Sequence, residues 1–348
     1  MAPYALAKIA SPPGKRLISL AQNESAAPPS PKAVEAAARA MGAGALYPDP
    51  DWTELREAIA GVHGLPADDI LCGAGSMELI GGLIQAYAGP GDEVLAGAYS
   101  YAFFRTAAEL AEAAYVTVPE RDFTVDVDLL LQGVTSRTRV VCLANPGNPT
   151  GTVLPGDEVR KLRDRLPPDV LLLIDEAYGE FADAGLLFDL VGRGDTVVTR
   201  TFSKAYALAG LRVGWGLFPP AVVAELRKIL NPNNISGPAQ AAAAAAMRDQ
   251  AHMQSIVEQT NACLRSFSAA LRGIGVEPVD SQTNFVLIPF ADEAAARSAD
   301  LALRAEGIVM RGMGGYGLGH CLRATIGTES DMTFAAQVLG RWKKGGGE

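Results

Sequence analysis

Lys204 lies in TFSKAYALAGLRVGW (residues 201–215), directly after Ser203 and eight residues before Arg212, in a run of otherwise apolar and small residues. Leu208, Ala209, Leu211, Val213 and Trp215 mark the run as largely buried, where a lysine serving only solubility would be out of place. Burial lowers the proton affinity of an amine and suits it to nucleophilic and base chemistry near neutral pH. Two more segments carry polar groups directly after apolar runs. Asp175 closes VLLLID (170–175), so its carboxylate falls at the carboxyl edge of a buried strand, where it needs a cation or donors. Tyr178 brings a phenol to the same place three residues on. ANPGNPTG (144–151) holds Asn145 and Asn148 between two prolines and two glycines, a rigid turn able to present an amide to a ligand. Judged alone, Asp175 also reads as a helix cap and Asn148 as a turn residue; together with Lys204 they read as one site.

Such groups need a frame that brings strand ends together. Short continuous apolar runs at 93–98, 114–118, 139–145, 170–175, 196–201 and 212–218 read as strands, and continuous apolar character means that both faces of a sheet are covered. Helical stretches alternate with them, so the fold class is α/β with a mainly parallel sheet, a class that binds ligands at the carboxyl ends of its strands. Ser30 followed by Pro31 predicts a helix start, with the helix ending at Gly42. Residues 239–272 contain no Gly or Pro, which predicts one helix of roughly 50 Å at 1.5 Å per residue, a suitable connection between domains. Beyond it, a strand at 284–290, a helix at 293–307 and a strand at 321–327 fit a smaller α+β domain. The expected division is an N-terminal arm at 1–30 packing with the small domain, a large domain at 31–235, the small domain at 236–344 and a disordered tail at 345–348.

The chain has 348 residues, 49% of them hydrophobic, enough to bury a large core. A formal charge of −9 argues against nucleic acid or an anionic membrane as the main partner and leaves a small molecule. Cys72, Cys142, Cys263 and Cys321 are far apart and form no CxxC pair, so they are expected to be reduced core thiols with no metal site. The first residues carry no sustained apolar segment, and the expected location is cytoplasmic.

NPGNPTG, DEAY and SKAYALAGLRVGW, in this order and spacing, resemble the fold type I pyridoxal-5'-phosphate-dependent aminotransferases, most closely the histidinol-phosphate aminotransferase family. The likeness runs from about Leu20 to Trp342 and includes LYPDP (46–50), GAGSMELI (73–80), YSYAFF (99–104) and MRGMGGYGLGHCLRATIGT (310–328). It implies a large domain with a mainly parallel seven-stranded sheet, a smaller α+β domain, and pyridoxal 5'-phosphate as cofactor. Lys204 would bond to the cofactor aldehyde and carry the substrate proton, Asp175 would pair with the pyridine nitrogen, and Asn148 and Tyr178 would reach the 3-hydroxyl. Thr201, Ser203 and Arg212 would hold the phosphate, helped by Gly75, Ser76 and Met77 at a helix start. Tyr101 would stack on the ring, and Tyr47 would reach the cofactor phosphate of the other subunit of a homodimer. If 204–212 were one regular helix, Lys204 and Arg212 would face apart; Gly210 is expected to interrupt it. Asn23, Arg311 and Arg323 would meet substrate, Arg311 at the phosphate and Arg323 at the α-carboxylate or the corresponding alcohol. His63, His252 and His320 are read as structural, since Lys204 already supplies the base.

The resemblance implies a small-molecule amino donor and a 2-oxo acid acceptor. Relatives acting on histidinol phosphate carry NENPYGPSP where this chain has NESAAPPSP (23–31), so Ser25, Ala26 and Ala27 replace Asn, Pro and an aromatic residue. Met77 stands where many relatives have Asp, and Tyr99 where a proline is usual. Transamination of histidinol phosphate with 2-oxoglutarate in histidine biosynthesis, transamination of aromatic or other amino acids, and decarboxylation of a phosphorylated amino acid all stay open. A transcription regulator on this fold would need a basic DNA-binding segment that this acidic chain does not show.

Overall fold

The apolar runs lie side by side in one sheet. The computed structural model describes residues 12–183, 185 and 187–346; residues 1–11 of the expected arm and 347–348 of the expected tail lie outside the described residues. The first half comprises β1 (Ile18–Leu20), α1 (Pro31–Ala40), α2 (Thr53–His63), β2 (Ile70–Gly73), α3 (Ser76–Tyr87), β3 (Glu93–Gly97), α4 (Ala102–Leu110), β4 (Ala114–Val118), α5 (Val127–Gln132), β5 (Thr138–Ala144), α6 (Gly156–Arg165) and β6 (Leu171–Asp175). The second comprises β7 (Thr196–Thr201), β8 (Gly214–Leu217), α7 (Pro220–Leu226), α8 (Gly237–Arg248), α9 (Gln250–Gly273), β9 (Phe285–Pro289), α10 (Glu293–Ala305), β10 (Ile308–Met313), β11 (Leu318–Thr325) and α11 (Glu329–Lys344).

Seven strands form the large sheet in the order β2-β8-β7-β6-β5-β3-β4. β8 runs antiparallel to both neighbours and the remaining pairs are parallel. β5, β6 and β7 are adjacent, so the polar residues that follow them emerge together at one edge. The second sheet has the order β1-β10-β11-β9, with β1 parallel to β10. Each sheet carries its own apolar cluster, one running from Ala33 to Phe285 and the other joining Ile18 and Leu20 to residues of α9, α10 and α11.

Ser30 caps α1 as expected, its hydroxyl accepting the Lys32 N–H at 3.2 Å. The expected single helix over 239–272 is corrected: α8 and α9 are separate, broken at Asp249, whose φ of −98° and ψ of 57° leave the helical region. The Asp249 carboxylate instead accepts from Ser30 Oγ at 2.6 Å and Lys32 Nζ at 2.8 Å. A tertiary bond to α1 therefore outweighs local helix propensity. The strand expected from residue 212 starts at Gly214, because Arg212 takes a left-handed φ of 55°. β1, β2 and β10 were not expected. Lys343 and Lys344 are helical and Gly345 caps α11.

Candidate active site

Asp175 is the last residue of β6 and is 4% exposed. Thr199 faces it in the parallel register and donates from Oγ1 to Oδ1 at 2.9 Å. Burial pushes the carboxyl up to about 6, against the Thr199 hydroxyl, the Ala177 N–H and the charge of Lys204. Lys204 follows β7, donates from Nζ to the Asn23 carbonyl at 2.8 Å, and lies 5.7 Å from the centre of the Tyr178 ring. Burial, then the charges of Arg323 and Arg212, push its amine down to about 8. Tyr178 is buried edge-on against Phe285, ring centres 5.1 Å apart, and its hydroxyl accepts from Asn23 Nδ2 at 2.9 Å. Burial pushes this phenol up to about 12.

Beyond Lys204 the chain turns twice through left-handed conformations, at Ala207 and Arg212. The expected interruption of a helix is therefore present, although not at Gly210, whose φ is not positive. The turn brings Arg212 back to Ser203, with Nη1 donating to Oγ at 3.2 Å. Thr201 Oγ1 donates to Ser203 Oγ at 3.0 Å and accepts the Ser203 N–H at 3.1 Å. Ser76 and Met77 open α3, and Gly75 precedes them with φ +81°. A Cβ on Gly75 would stand 2.4 Å from Arg212 Nη2, and one on Gly214 would stand 2.2 Å from the Ser76 nitrogen. Two glycines thus let a guanidinium and a strand close on the N-terminus of a helix, and with the hydroxyls this makes an anion cradle.

On the other side, Asn148 Oδ1 accepts from Arg323 Nη1 at 2.5 Å, and Arg323 Nη2 donates to the Ala21 carbonyl at 3.3 Å. The Arg323 guanidinium lies 5.1 Å from the centre of the Phe285 ring. Arg311 on β10 is its cross-strand partner. Asn23 ties the arm to both sheets: its N–H donates to Thr325 Oγ1 at 2.8 Å, and its carbonyl accepts from Asn284 Nδ2 at 3.1 Å as well as from Lys204. Tyr101 precedes α4 and packs edge-on against Phe104, ring centres 5.7 Å apart.

Lys204, Asp175, Tyr178, Asn148, Asn23 and Arg323 therefore form one connected cluster, joined through Ser203 and Arg212 to the cradle of Thr201, Gly75, Ser76 and Met77. Tyr47 stands apart, 87% exposed. Thr199, Asn284, Thr325 and Phe285 were not singled out in the sequence. Strand alternation places Thr199 and Thr201 on one face, but only the register shows that this face meets Asp175. His63 packs against Trp215 and Phe188 and is pushed down to about 4 by burial and the charge of Arg200.

The chain matches the family described as aminotransferase class I and II over residues 15–339. It is 47% identical over 329 residues to a histidinol-phosphate aminotransferase of Paramagnetospirillum magneticum, covering 92% of this chain and 91% of that protein. It is 46% identical over 356 aligned positions to a protein of the same name from Rhodospirillum centenum, covering 99% and 97%. Among solved structures it resembles histidinol-phosphate aminotransferase from Sinorhizobium meliloti in complex with pyridoxal-5'-phosphate, with a TM-score of 0.89 and 30% identity over 97% of this chain and 92% of that one.

Proposed function

The chain belongs to the class I and II aminotransferases, and from that premise we propose that it uses pyridoxal 5'-phosphate to move the amino group of histidinol phosphate to a 2-oxo acid, 2-oxoglutarate being the acceptor we favour. One observation carries the proposal: Lys204, held by the Asn23 carbonyl, stands between an anion cradle on one side and two arginines on the other. The residues suit the cofactor. Its phosphate fits Ser76, the N–H groups at the start of α3, Thr201, Ser203 and Arg212; the Gly75 and Gly214 approaches leave no room there for a side chain. Asp175 would meet the ring nitrogen, Asn148 and Tyr178 the 3-hydroxyl, and Tyr101 a ring face.

When bound, the cofactor supplies an electron sink that makes the proton on the carbon bearing the amino group labile. Lys204 then holds and moves that proton. With a pKa of about 8, roughly a tenth of its amines are neutral at pH 7, against well under a thousandth for an ordinary lysine. Asp175 keeps its negative charge at neutral pH despite burial, because Thr199 and the Ala177 N–H oppose the cost of desolvation. Arg323, anchored by Asn148 and Ala21, orients the donor's alcohol or the acceptor's α-carboxylate, and Arg311 takes the donor's phosphate.

The functional unit we propose is a homodimer. Met41, Leu46 and Tyr47 are large side chains left 64%, 76% and 87% exposed along one short segment, and Tyr47 of one copy would reach the cofactor phosphate in the other. No described helix is long and apolar enough to cross a membrane, and the cytoplasmic location expected from the sequence stays part of the proposal. The small residues Ser25–Ala27 keep a second reading open, an aromatic or other amino acid as donor, because they lack the aromatic ring and hydroxyl that relatives acting on histidinol phosphate carry there. Turnover of L-histidinol phosphate with 2-oxoglutarate, followed by glutamate formation and set against L-phenylalanine and L-histidinol, separates the two. A preference of tenfold or less for the phosphorylated donor would overturn the first reading.

A further inference from the structure

Successive residues of a strand point to opposite faces of its sheet. On β7, Thr199 meets Asp175 on one face, while Arg200 is buried with 2% of its surface exposed. Arg200 Nη2 lies 3.0 Å from Glu180 Oε1 and Nη1 lies 4.0 Å from Glu176 Oε2. Glu176 directly follows Asp175, and its N–H donates to the Thr199 carbonyl at 2.8 Å. A Cβ on Gly179 would come within 2.9 Å of Arg200 Nη2, so the guanidinium packs directly against the backbone of the turn that carries Tyr178. The Phe188 ring lies 5.7 Å from the guanidinium carbon.

Two carboxylates and one guanidinium buried together are a poor source of stability. Arg200 Nε, Glu176 Oε2 and Glu180 Oε2 also have no hydrogen-bond partner among the described residues, nor do the neighbouring His63 Nε2 and Trp215 Nε1, which adds to the cost. Burial pushes Glu176 up to about 7 and Glu180 upward, while the charge of Arg200 pulls both back. His63, Tyr206 and Asp175 are the other titratable groups that act on this cluster. A costly cluster in contact with the segment between Asp175 and Tyr178 calls for a role in that segment.

We propose that Arg200 is a positioning residue: by holding Glu176 and Glu180 from behind the sheet, it fixes the Asp175–Tyr178 segment against which the cofactor ring rests. The inference depends on the aminotransferase reading, and wild-type protein assayed in parallel tests that reading separately. The variant Arg200→Met/Glu180→Gln removes one charge of each sign, so it avoids leaving Glu180 as an unpaired buried carboxylate. Its kcat is expected to fall by about tenfold to a hundredfold, the loss typical of slight misplacement, with KM for the donor within about twofold because Arg311 and Arg323 are untouched. The dissociation constant for pyridoxal 5'-phosphate, read by absorbance titration of the apoprotein, should rise, and amides of residues 176–181 should exchange faster with deuterium. Arg200→Lys keeps the charge without the fork and should recover part of kcat. A lower melting temperature in both variants, with wild-type kcat, cofactor affinity and exchange at 176–181, would overturn the proposal.

Discussion

Arg311 on β10 and Arg323 on β11 stand directly opposite each other in the antiparallel ladder of the small sheet. Facing like charges on paired strands repel, so the pair is suited to an anion that touches both or to two anions side by side. Arg323 also bonds Asn148 and the Ala21 carbonyl, so its removal would disturb other groups of the site, and removal of Arg311 is the test aimed at the phosphate assignment. In Arg311→Met, KM for L-histidinol phosphate is expected to rise by about tenfold to a hundredfold, the worth of a charged hydrogen bond. Unphosphorylated L-histidinol should react equally with both proteins. An unchanged KM for the phosphorylated donor would remove Arg311 from the substrate site.

Asp175 sets function against stability. Its folded pKa, about 6, lies above the ordinary carboxylate value of 3.8, so the ionised group destabilises the fold. That cost is absent below about 3.8, grows between 3.8 and 6, and is complete above 6. Asp175→Asn should therefore leave the apoprotein as stable as wild type or more so at pH 7, and the advantage should vanish near pH 4. The same variant should lose about a hundredfold or more in kcat, because an amide cannot hold a pyridinium. Urea unfolding across this range checks the first part and single-turnover absorbance the second. A variant less stable than wild type at pH 7 would show that Thr199 and Ala177 fully compensate the burial.

The groups legible in the sequence were those whose roles follow from local position. Asp175, Asn148 and Lys204 each follow an apolar strand, so the end of the run places them at the sheet edge without knowledge of strand order. Thr199, Asn284 and Arg200 were illegible for the opposite reason: each matters through a partner fixed by register or by the docking of the arm. The helix break at Asp249 belongs with these, since its carboxylate is held by Ser30 and Lys32. β10 escaped notice because Arg311 and Gly312 interrupt its apolar run, and its pairing with β1 and β11 supplies what propensity lacks.

Lys204 sets a pH dependence with the opposite order of events. Its folded pKa, about 8, is below the ordinary lysine value of 10.5, so the charged amine is the disfavoured form in the fold. The cost is complete below about 8 and is relieved as pH rises from 8 to 10.5. Lys204→Met apoprotein should thus be more stable than wild type at pH 7, with the difference shrinking toward pH 10. Capture of pyridoxal 5'-phosphate by wild-type apoprotein should accelerate through pH 8 as the neutral amine grows. Lys204→Met should bind the cofactor without a covalent bond, through the phosphate cradle and the ring contacts, and show no turnover. Appreciable multiple turnover in that variant would place the proton carrier elsewhere.

Gly75 tests the cradle without replacing a charged group. Its φ of +81° disfavours any side chain, and a Cβ would lie 2.4 Å from Arg212 Nη2. Arg212 is tied to Ser203 and to the Ala209 carbonyl at 3.1 Å, so moving the guanidinium aside disturbs two proposed phosphate ligands, Arg212 and Ser203, together. Gly75→Ala should cost about 1–3 kcal/mol of cofactor affinity, seen as a dissociation constant roughly tenfold to a hundredfold higher. The affinity for pyridoxal, which lacks the phosphate, should change little. Equal loss for both ligands would mean that the substitution acts through α3 and the sheet rather than through the anion site, and the cradle would then lose its claim on the phosphate.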